Sequence, residues 1–272
     1  MDGTATRSSG ITSNGAPVAG GPGVFADLRR TPLDLGLDTV AARYRDDGYV
    51  MVPGLLDQRE VLGLRAAYEV SKAGSSMVGH GVAGHPAHAF VRSALYDTFT
   101  RQPRLRLVAA TLLDAEPALL PRRILREYAS GTRLAARAHT DRAYIDRGTR
   151  RVVTAWVPLG DVAEDGGGIV YLEGSHHLAT DDHAELRAHT DRPHDRRPLS
   201  HDLAWVAHRT RCRWLRGEFS AGDVVFHSPD IIHATLDVAG TQARVSTDLR
   251  FIAAGDTGDP RWQAAWSADD GY

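Results

Sequence analysis

Beyond residue 121 the chain is a succession of short apolar runs, each cut off by turn residues. RRILREYAS, RRVVTAWVPLGDV and GGIVYLEGSHH come first, and GDVVFH, DIIHATL and ARVSTDLRFIA follow. The runs are rich in β-branched and aromatic residues, and Gly, Asp, Ser and Pro lie between them, as expected for strands joined by tight connections. Several short strands in such succession point to a sandwich, a barrel or a jelly roll.

The amino-terminal part reads differently. FADLRRTPLDLGLDTVAARYRDDGYVMVPGLL passes from helical spacing at Val40 and Tyr44 to alternation at Tyr49 and Met51. The spacing predicts an amphipathic helix over 57–73, with Val61, Leu64 and Tyr68 as its apolar stripe. Asp57 is its expected N-cap, and Glu60 is placed to complete a capping box. Helical spacing returns over 91–120. Between these lies GSSMVGHGVAGHPAHAF, a glycine-rich loop carrying His80, His85 and His88. The opening residues are rich in Gly, Ser, Thr and Ala, so a mobile tail is expected over 1–24, followed by one domain over 25–272. A polar stretch at 178–217 exceeds an ordinary connection and reads as a lid or a partly ordered insertion.

Composition removes several classes of function. A net charge of −2 gives no general attraction to nucleic acid or an anionic membrane. Lys72 is the sole lysine, and the arginines are scattered among acids, which reads as coding bias and not as a phosphate-binding device. No apolar run approaches the ~20 residues of a membrane span, and the start lacks a secretory signal's apolar stretch. Cys212 is the only cysteine, so neither an intramolecular disulfide nor a cysteine-rich zinc site is available. A cytoplasmic protein is expected.

The pentapeptide AHTDR occurs at 138–142 and again at 188–192. Residues i and i+2 of an extended chain point to one side, so His139 and Asp141 can grip one ion. The second copy, with His189 and Asp191, leads into RPHDRRPLSHDL, a loop with nothing to hold two ligands rigidly. His233, after Ile231 and Ile232 on an expected interior strand, is the third candidate. Two His and one carboxylate leave positions open on an ion, which suits non-haem Fe(II). Arg244 follows on the next strand, where Arg244, Ser246 and Asp248 share a face. An arginine inside an otherwise apolar barrel needs an anion, and a dicarboxylate bridging metal and Arg244 supplies one. His227 lies near His233, but no arginine follows it at the matching interval. His176 and His177 read as structural or pocket-lining, and His183, His189, His194, His201 and His208 as residues of a solvated loop.

Over roughly 40–255 the chain resembles the phytanoyl-CoA dioxygenase-like branch of the Fe(II)- and 2-oxoglutarate-dependent oxygenases. DDGYVMVPGLLDQREVLGLR, the HTD at 139–141, TAWVPLGDVAEDGGGIVYLEGSHH and GDVVFHSPDIIHAT followed by Arg244 carry the likeness in order and spacing. Thr140 stands where the common family pattern has glutamine. The resemblance implies a mainly β protein with flanking helices around a double-stranded β-helix (jelly-roll, cupin-like) core. It implies Fe(II) on His139, Asp141 and His233, and the far carboxylate of 2-oxoglutarate on Arg244 assisted by Thr235. Trp156 would line the co-substrate pocket and Arg126 would contribute from the neighbouring strand. The retained Asp141 argues against a halogenase. Dioxygen and a small-molecule substrate complete the reaction. The composition looks like actinobacterial members that tailor secondary metabolites, so a polyketide or its sugar is the expected substrate, with a role in antibiotic biosynthesis. Trp205 and Trp214 are candidates to stack on a ring, or else core residues. Two other readings stand beside this one: a cupin-like metal hydrolase or isomerase without 2-oxoglutarate, and a silent binding module.

Overall fold

The computed structural model describes residues 10–18, 23–75, 77, 83–131 and 134–268. In chain order it forms β1 (Thr12–Ser13), β2 (Ala16–Pro17), β3 (Phe25–Asp27), α1 (Leu37–Asp47) and β4 (Tyr49–Val52). Four helices follow: α2 (Gln58–Ser71), α3 (Pro86–Phe90), α4 (Ala94–Thr100) and α5 (Pro103–Leu113). Then come β5 (Pro117–Leu119), β6 (Ile124–Tyr128), β7 (Ala138–His139), β8 (Val152–Pro158) and β9 (Ile169–Leu172). The remainder is α6 (Thr180–Arg187), β10 (Pro198–Ser200), α7 (Leu203–Thr210), β11 (Trp214–Arg216), β12 (Val224–His227), β13 (His233–Thr235) and β14 (Arg244–Ala253).

The strands make two six-stranded sheets, one in the order β10-β7-β13-β9-β11-β3 and one in the order β4-β12-β8-β14-β5 with β6 also on β14. Their inner faces form a jelly roll, and side-chain alternation decides what each face carries. On β8, Val153, Ala155 and Val157 pack outward with Val61, Leu64 and Tyr68 of α2 and Leu105 and Val108 of α5. Val245, Leu249 and Phe251 of β14 join the same cluster. The intervening residues, Thr154 and Trp156 of β8 and Arg244, Ser246, Asp248 and Arg250 of β14, therefore face the interior. On the opposite sheet Ala138, Val170, Leu172, Ile232 and Ala234 point outward, which turns His139, Tyr171 and His233 inward.

Several details depart from the sequence expectations. Asp57 does cap α2, accepting from the amides of Arg59 and Glu60, but the Glu60 carboxylate takes the Gln102 amide instead of closing a capping box. The 91–120 region is two helices and a strand, because Pro103 starts a new helix after Thr100. The 178–217 stretch is built into the fold, and its Arg192 and Pro198 line the cavity that also holds His139 and Asp141. Leu186, Leu199, Leu203, Val206 and Trp214 cover the outer face of the sheet that carries β7 and β13, and β10 and β11 are strands of that sheet. Trp214 is core, its indole N–H donating to the Leu203 carbonyl at 2.8 Å. Among the described residues no helix is long and apolar enough to cross a membrane.

Residues 10–18, expected within a mobile tail, form a hairpin tied to the barrel. Asp237 accepts from the Thr12 hydroxyl at 2.8 Å and from the amides of Asn14 at 3.0 Å and Gly15 at 2.8 Å. Ser13 donates to the Thr235 carbonyl, and Val18 is buried. Short polar residues can be ordered where a carboxylate satisfies a turn, which composition alone does not reveal. Asp237→Ala is expected to lower unfolding free energy by about 1–3 kcal/mol and to open 10–18 to proteolysis. Denaturant unfolding with timed protease digestion checks this; an unchanged cleavage rate would show that the hairpin is held by other contacts.

Candidate metal centre

His139 and His233 lie opposite one another on the antiparallel neighbours β7 and β13. Thr140 stays extended (φ −108°, ψ 146°) before a 3₁₀ turn begins at Asp141, and this carries the carboxylate to the same side as the imidazoles. The three side chains offer ligand atoms all within 4.8 Å of one another, and form the only such group found among the described residues. Each imidazole is held through Nδ1, which is 2.6 Å from the Arg137 carbonyl in His139 and 3.1 Å from the Ile231 carbonyl in His233. Donation there leaves Nε2 as the lone-pair nitrogen, the usual way a protein prepares a metal-binding histidine. Burial lowers the pKa of both rings, that of His233 strongly, so both are neutral near pH 7, as a metal requires.

Asp141 is 1 % exposed. Its Oδ2 accepts from the Thr154 hydroxyl at 2.6 Å, and Arg250 grips both oxygens, Nη2 to Oδ1 at 2.9 Å and Nε to Oδ2 at 3.3 Å. His227 Nε2 faces Oδ2 at 3.4 Å. Burial alone would raise the carboxyl pKa, but Arg250, then His227 and His233, outweigh it and hold the group well below its ordinary range. Asp141 is thus an anion in place before any metal arrives.

Arg244 is buried between rings, its guanidinium carbon 4.3 Å from the Tyr128 ring centroid and 6.0 Å from that of Trp156. Its Nη1 donates to Ser246 at 3.3 Å, whereas Nε and Nη2 have no hydrogen-bond partner among the described residues. A buried guanidinium with two free donors fits an anion such as the far carboxylate of 2-oxoglutarate. The Thr235 hydroxyl accepts from the Ala136 amide at 2.7 Å, which leaves its own O–H to donate. Ser246 presents a hydroxyl to Arg244 from the same strand. Trp156 packs edge-on against Phe219 at 4.8 Å while flanking Arg244. Arg126 donates to Asp248 at 3.1 Å and, with His139, Asp141, Tyr144, Arg250 and Trp262, lines a cavity of about 170 Å³.

The second AHTDR has a different use. Asp191 forms a two-pronged pair with Arg137, at 2.7 and 2.6 Å, and the carbonyl of Arg137 is the one that orients His139. Its histidine, His189, stacks on Trp205 at 4.4 Å. His85 caps α3 through the Ala87 amide, and His88 packs edge-on against Trp266; His80 lies outside the described residues. His176 lies against Gly48, where an added Cβ would sit 2.6 Å from its Nδ1 at a φ of +76°. That places His176 in packing, not at the metal centre.

Two residues beside Asp141 escaped the sequence reading. His227, which no arginine follows at the matching interval, shares β12's inward face with Val225, and its Nδ1 is 2.9 Å from the Tyr171 hydroxyl. Arg250 is one further step along the alternation already seen at Arg244, Ser246 and Asp248. Period-two spacing would have found both.

A family model described as phytanoyl-CoA dioxygenase (PhyH) matches residues 44–246. Compared with curated protein sequences, the chain has no significant match. Among solved structures it is similar to the epimerase SnoN in complex with Fe3+, alpha ketoglutarate and nogalamycin RO. That likeness is 25% identity at a TM-score of 0.65, covering 84% of this chain and 87% of that one. It is also similar to the non-heme alpha ketoglutarate dependent carbocyclase SnoK from nogalamycin biosynthesis (22%, TM-score 0.64, 86% and 90% covered). AviO1 from Streptomyces viridochromogenes Tue57 shares the fold at 18% identity and a TM-score of 0.62, with 83% and 99% covered.

Replacing the two AHTDR aspartates in turn separates their roles. Asp141→Asn is expected to weaken Mn(II) binding by more than about 100-fold, and Asp191→Asn by about tenfold at most, since it acts only through Arg137. Titration followed by the free Mn(II) electron paramagnetic resonance signal checks this. An equal loss in both variants would place the second copy at the metal.

Proposed function

The chain belongs to the phytanoyl-CoA dioxygenase (PhyH) family, and on that premise we propose that it is a non-haem Fe(II)- and 2-oxoglutarate-dependent oxygenase acting on a C–H bond of a small molecule. His139, Asp141 and His233 would hold the iron, and Arg244 the far carboxylate of 2-oxoglutarate. Iron and 2-oxoglutarate, when bound, supply the power to take hydrogen from a C–H bond using dioxygen, with succinate and carbon dioxide released.

The protein's own residues do the positioning. Arg137 and Ile231 carbonyls aim the imidazoles, and Arg250 and Thr154 aim the carboxylate. Arg244, wedged between Tyr128 and Trp156, fixes one end of the co-substrate. Tyr144, Trp262 and Arg126 wall the cavity through which a substrate would meet the metal. Placement of the C–H bond then decides among hydroxylation, epimerisation and cyclisation. The similarity to enzymes of nogalamycin biosynthesis supports a natural product, a polyketide or its sugar, as the substrate class.

The observation that carries this reading is the pair of free donors on buried Arg244, which a metal hydrolase or isomerase without a dicarboxylate would leave without purpose. Removing one member of a buried charge pair costs about 2–5 kcal/mol. Arg244→Met is therefore expected to raise the KM for 2-oxoglutarate at least about thirtyfold, read as succinate formed by the Fe(II)-loaded protein without added substrate. An unchanged KM would contradict the assignment of Arg244, and a wild type that forms no succinate would favour the hydrolase or isomerase.

A further inference from the structure

The contacts around Asp141 are unequal, and we propose that Arg250, together with Thr154, is a positioning residue that makes the carboxylate a one-oxygen metal ligand. The inference rests on the metal and co-substrate reading above and concerns what keeps room on the metal. Oδ2 is engaged by the Thr154 hydroxyl at 2.6 Å and Arg250 Nε at 3.3 Å, and it faces His227 Nε2 at 3.4 Å. Oδ1 takes Arg250 Nη2 at 2.9 Å and is the oxygen that faces His233 Nε2, at 3.9 Å.

A carboxylate with two free oxygens can chelate a cation through both; one whose second oxygen is already satisfied presents the other. The difference matters because a six-coordinate ion has few positions. Two imidazoles and one carboxylate oxygen would take three, and the open positions would be left for a 2-oxoacid and dioxygen. A second oxygen from Asp141 would fill one of those positions.

The clamp is built to stay. Arg250 and Thr154 are register partners on β14 and β8, so their side chains stand side by side on the inner face. The Arg250 guanidinium lies 4.2 Å from the Trp262 ring centroid, and the residue is 3 % exposed. The planar fork binds the carboxylate side-on, a geometry that a lysine ammonium cannot reproduce. The same guanidinium competes with a metal for the Asp141 charge. Arg250 therefore weakens metal binding while favouring the 2-oxoacid, and those opposite effects distinguish it from a residue that merely holds the fold.

Cobalt(II) is the probe. Its affinity is measured by equilibrium dialysis, and its visible absorption is followed while 2-oxoglutarate is added. Arg250→Met is expected to bind Co(II) at least as tightly as the wild type, but its Co(II) complex should bind 2-oxoglutarate about tenfold more weakly. Its visible bands should be weaker too, as a higher coordination number produces. Thr154→Val, a near-isosteric change that strands no charge, should move both affinities the same way by less, and it carries the test if Arg250→Met does not fold. Arg250→Lys should recover wild-type metal affinity but not 2-oxoglutarate affinity. Co(II) and 2-oxoglutarate affinities that fall together, or that do not move, would overturn the inference. A wild type that binds Co(II) but no 2-oxoglutarate would overturn the proposed function itself, and this inference with it.

Discussion

A buried carboxylate held by a buried guanidinium organises the centre of this barrel. Asp141 and Arg250 are buried between the two sheets, where either charge alone would cost several kcal/mol. Each is tolerated because the other is there, and because Thr154, His227 and Trp262 complete the surroundings. The pair also joins the two sheets chemically: Asp141 follows β7 of one, and Arg250 is on β14 of the other. Alternation along β14 then sets Arg244 on the same inward face as Arg250. The spacing of charged residues on one strand thus locates both the metal carboxylate's clamp and the candidate co-substrate arginine.

Much of this was legible in the sequence. The switch from helical to alternating spacing after Tyr44 marked α1 and β4, and the run of short strands beyond 121 marked a sandwich, barrel or jelly roll, among which the family resemblance chose the last. The convergence of His139, Asp141 and His233 followed from period-two geometry and from the apolar residues before His233. The share that was hidden depended on long-range contacts. Nothing in the loop composition of 188–192 shows that Asp191 reaches Arg137, 54 residues earlier in sequence. The hairpin at 10–18 is ordered by Asp237, more than two hundred residues away in sequence. Thr235 matched a family position, and only the fold reveals that its hydroxyl also takes the Ala136 amide and that Ser246 accepts from Arg244.

The two AHTDR copies show how identical residues acquire unlike roles. In the first, an extended Thr140 and a following turn bring His139 and Asp141 to one side of a rigid strand pair. In the second, the chain has left helix α6, His189 stacks on Trp205, and Asp191 turns outward to an arginine. The second copy supports the first through Arg137, so its aspartate bears on the metal centre without touching it. The 178–217 stretch seals the outer face of the sheet that carries both histidines, and its Arg192 and Pro198 line the cavity at the metal centre.

The most direct test of the account is the visible absorption of the purified protein, titrated without oxygen first with Fe(II) and then with 2-oxoglutarate. A broad metal-to-ketoacid charge-transfer band should appear only when both are present, saturating at one equivalent of each. A protein that takes up Fe(II) yet gives no such band on adding 2-oxoglutarate would contradict the oxygenase assignment.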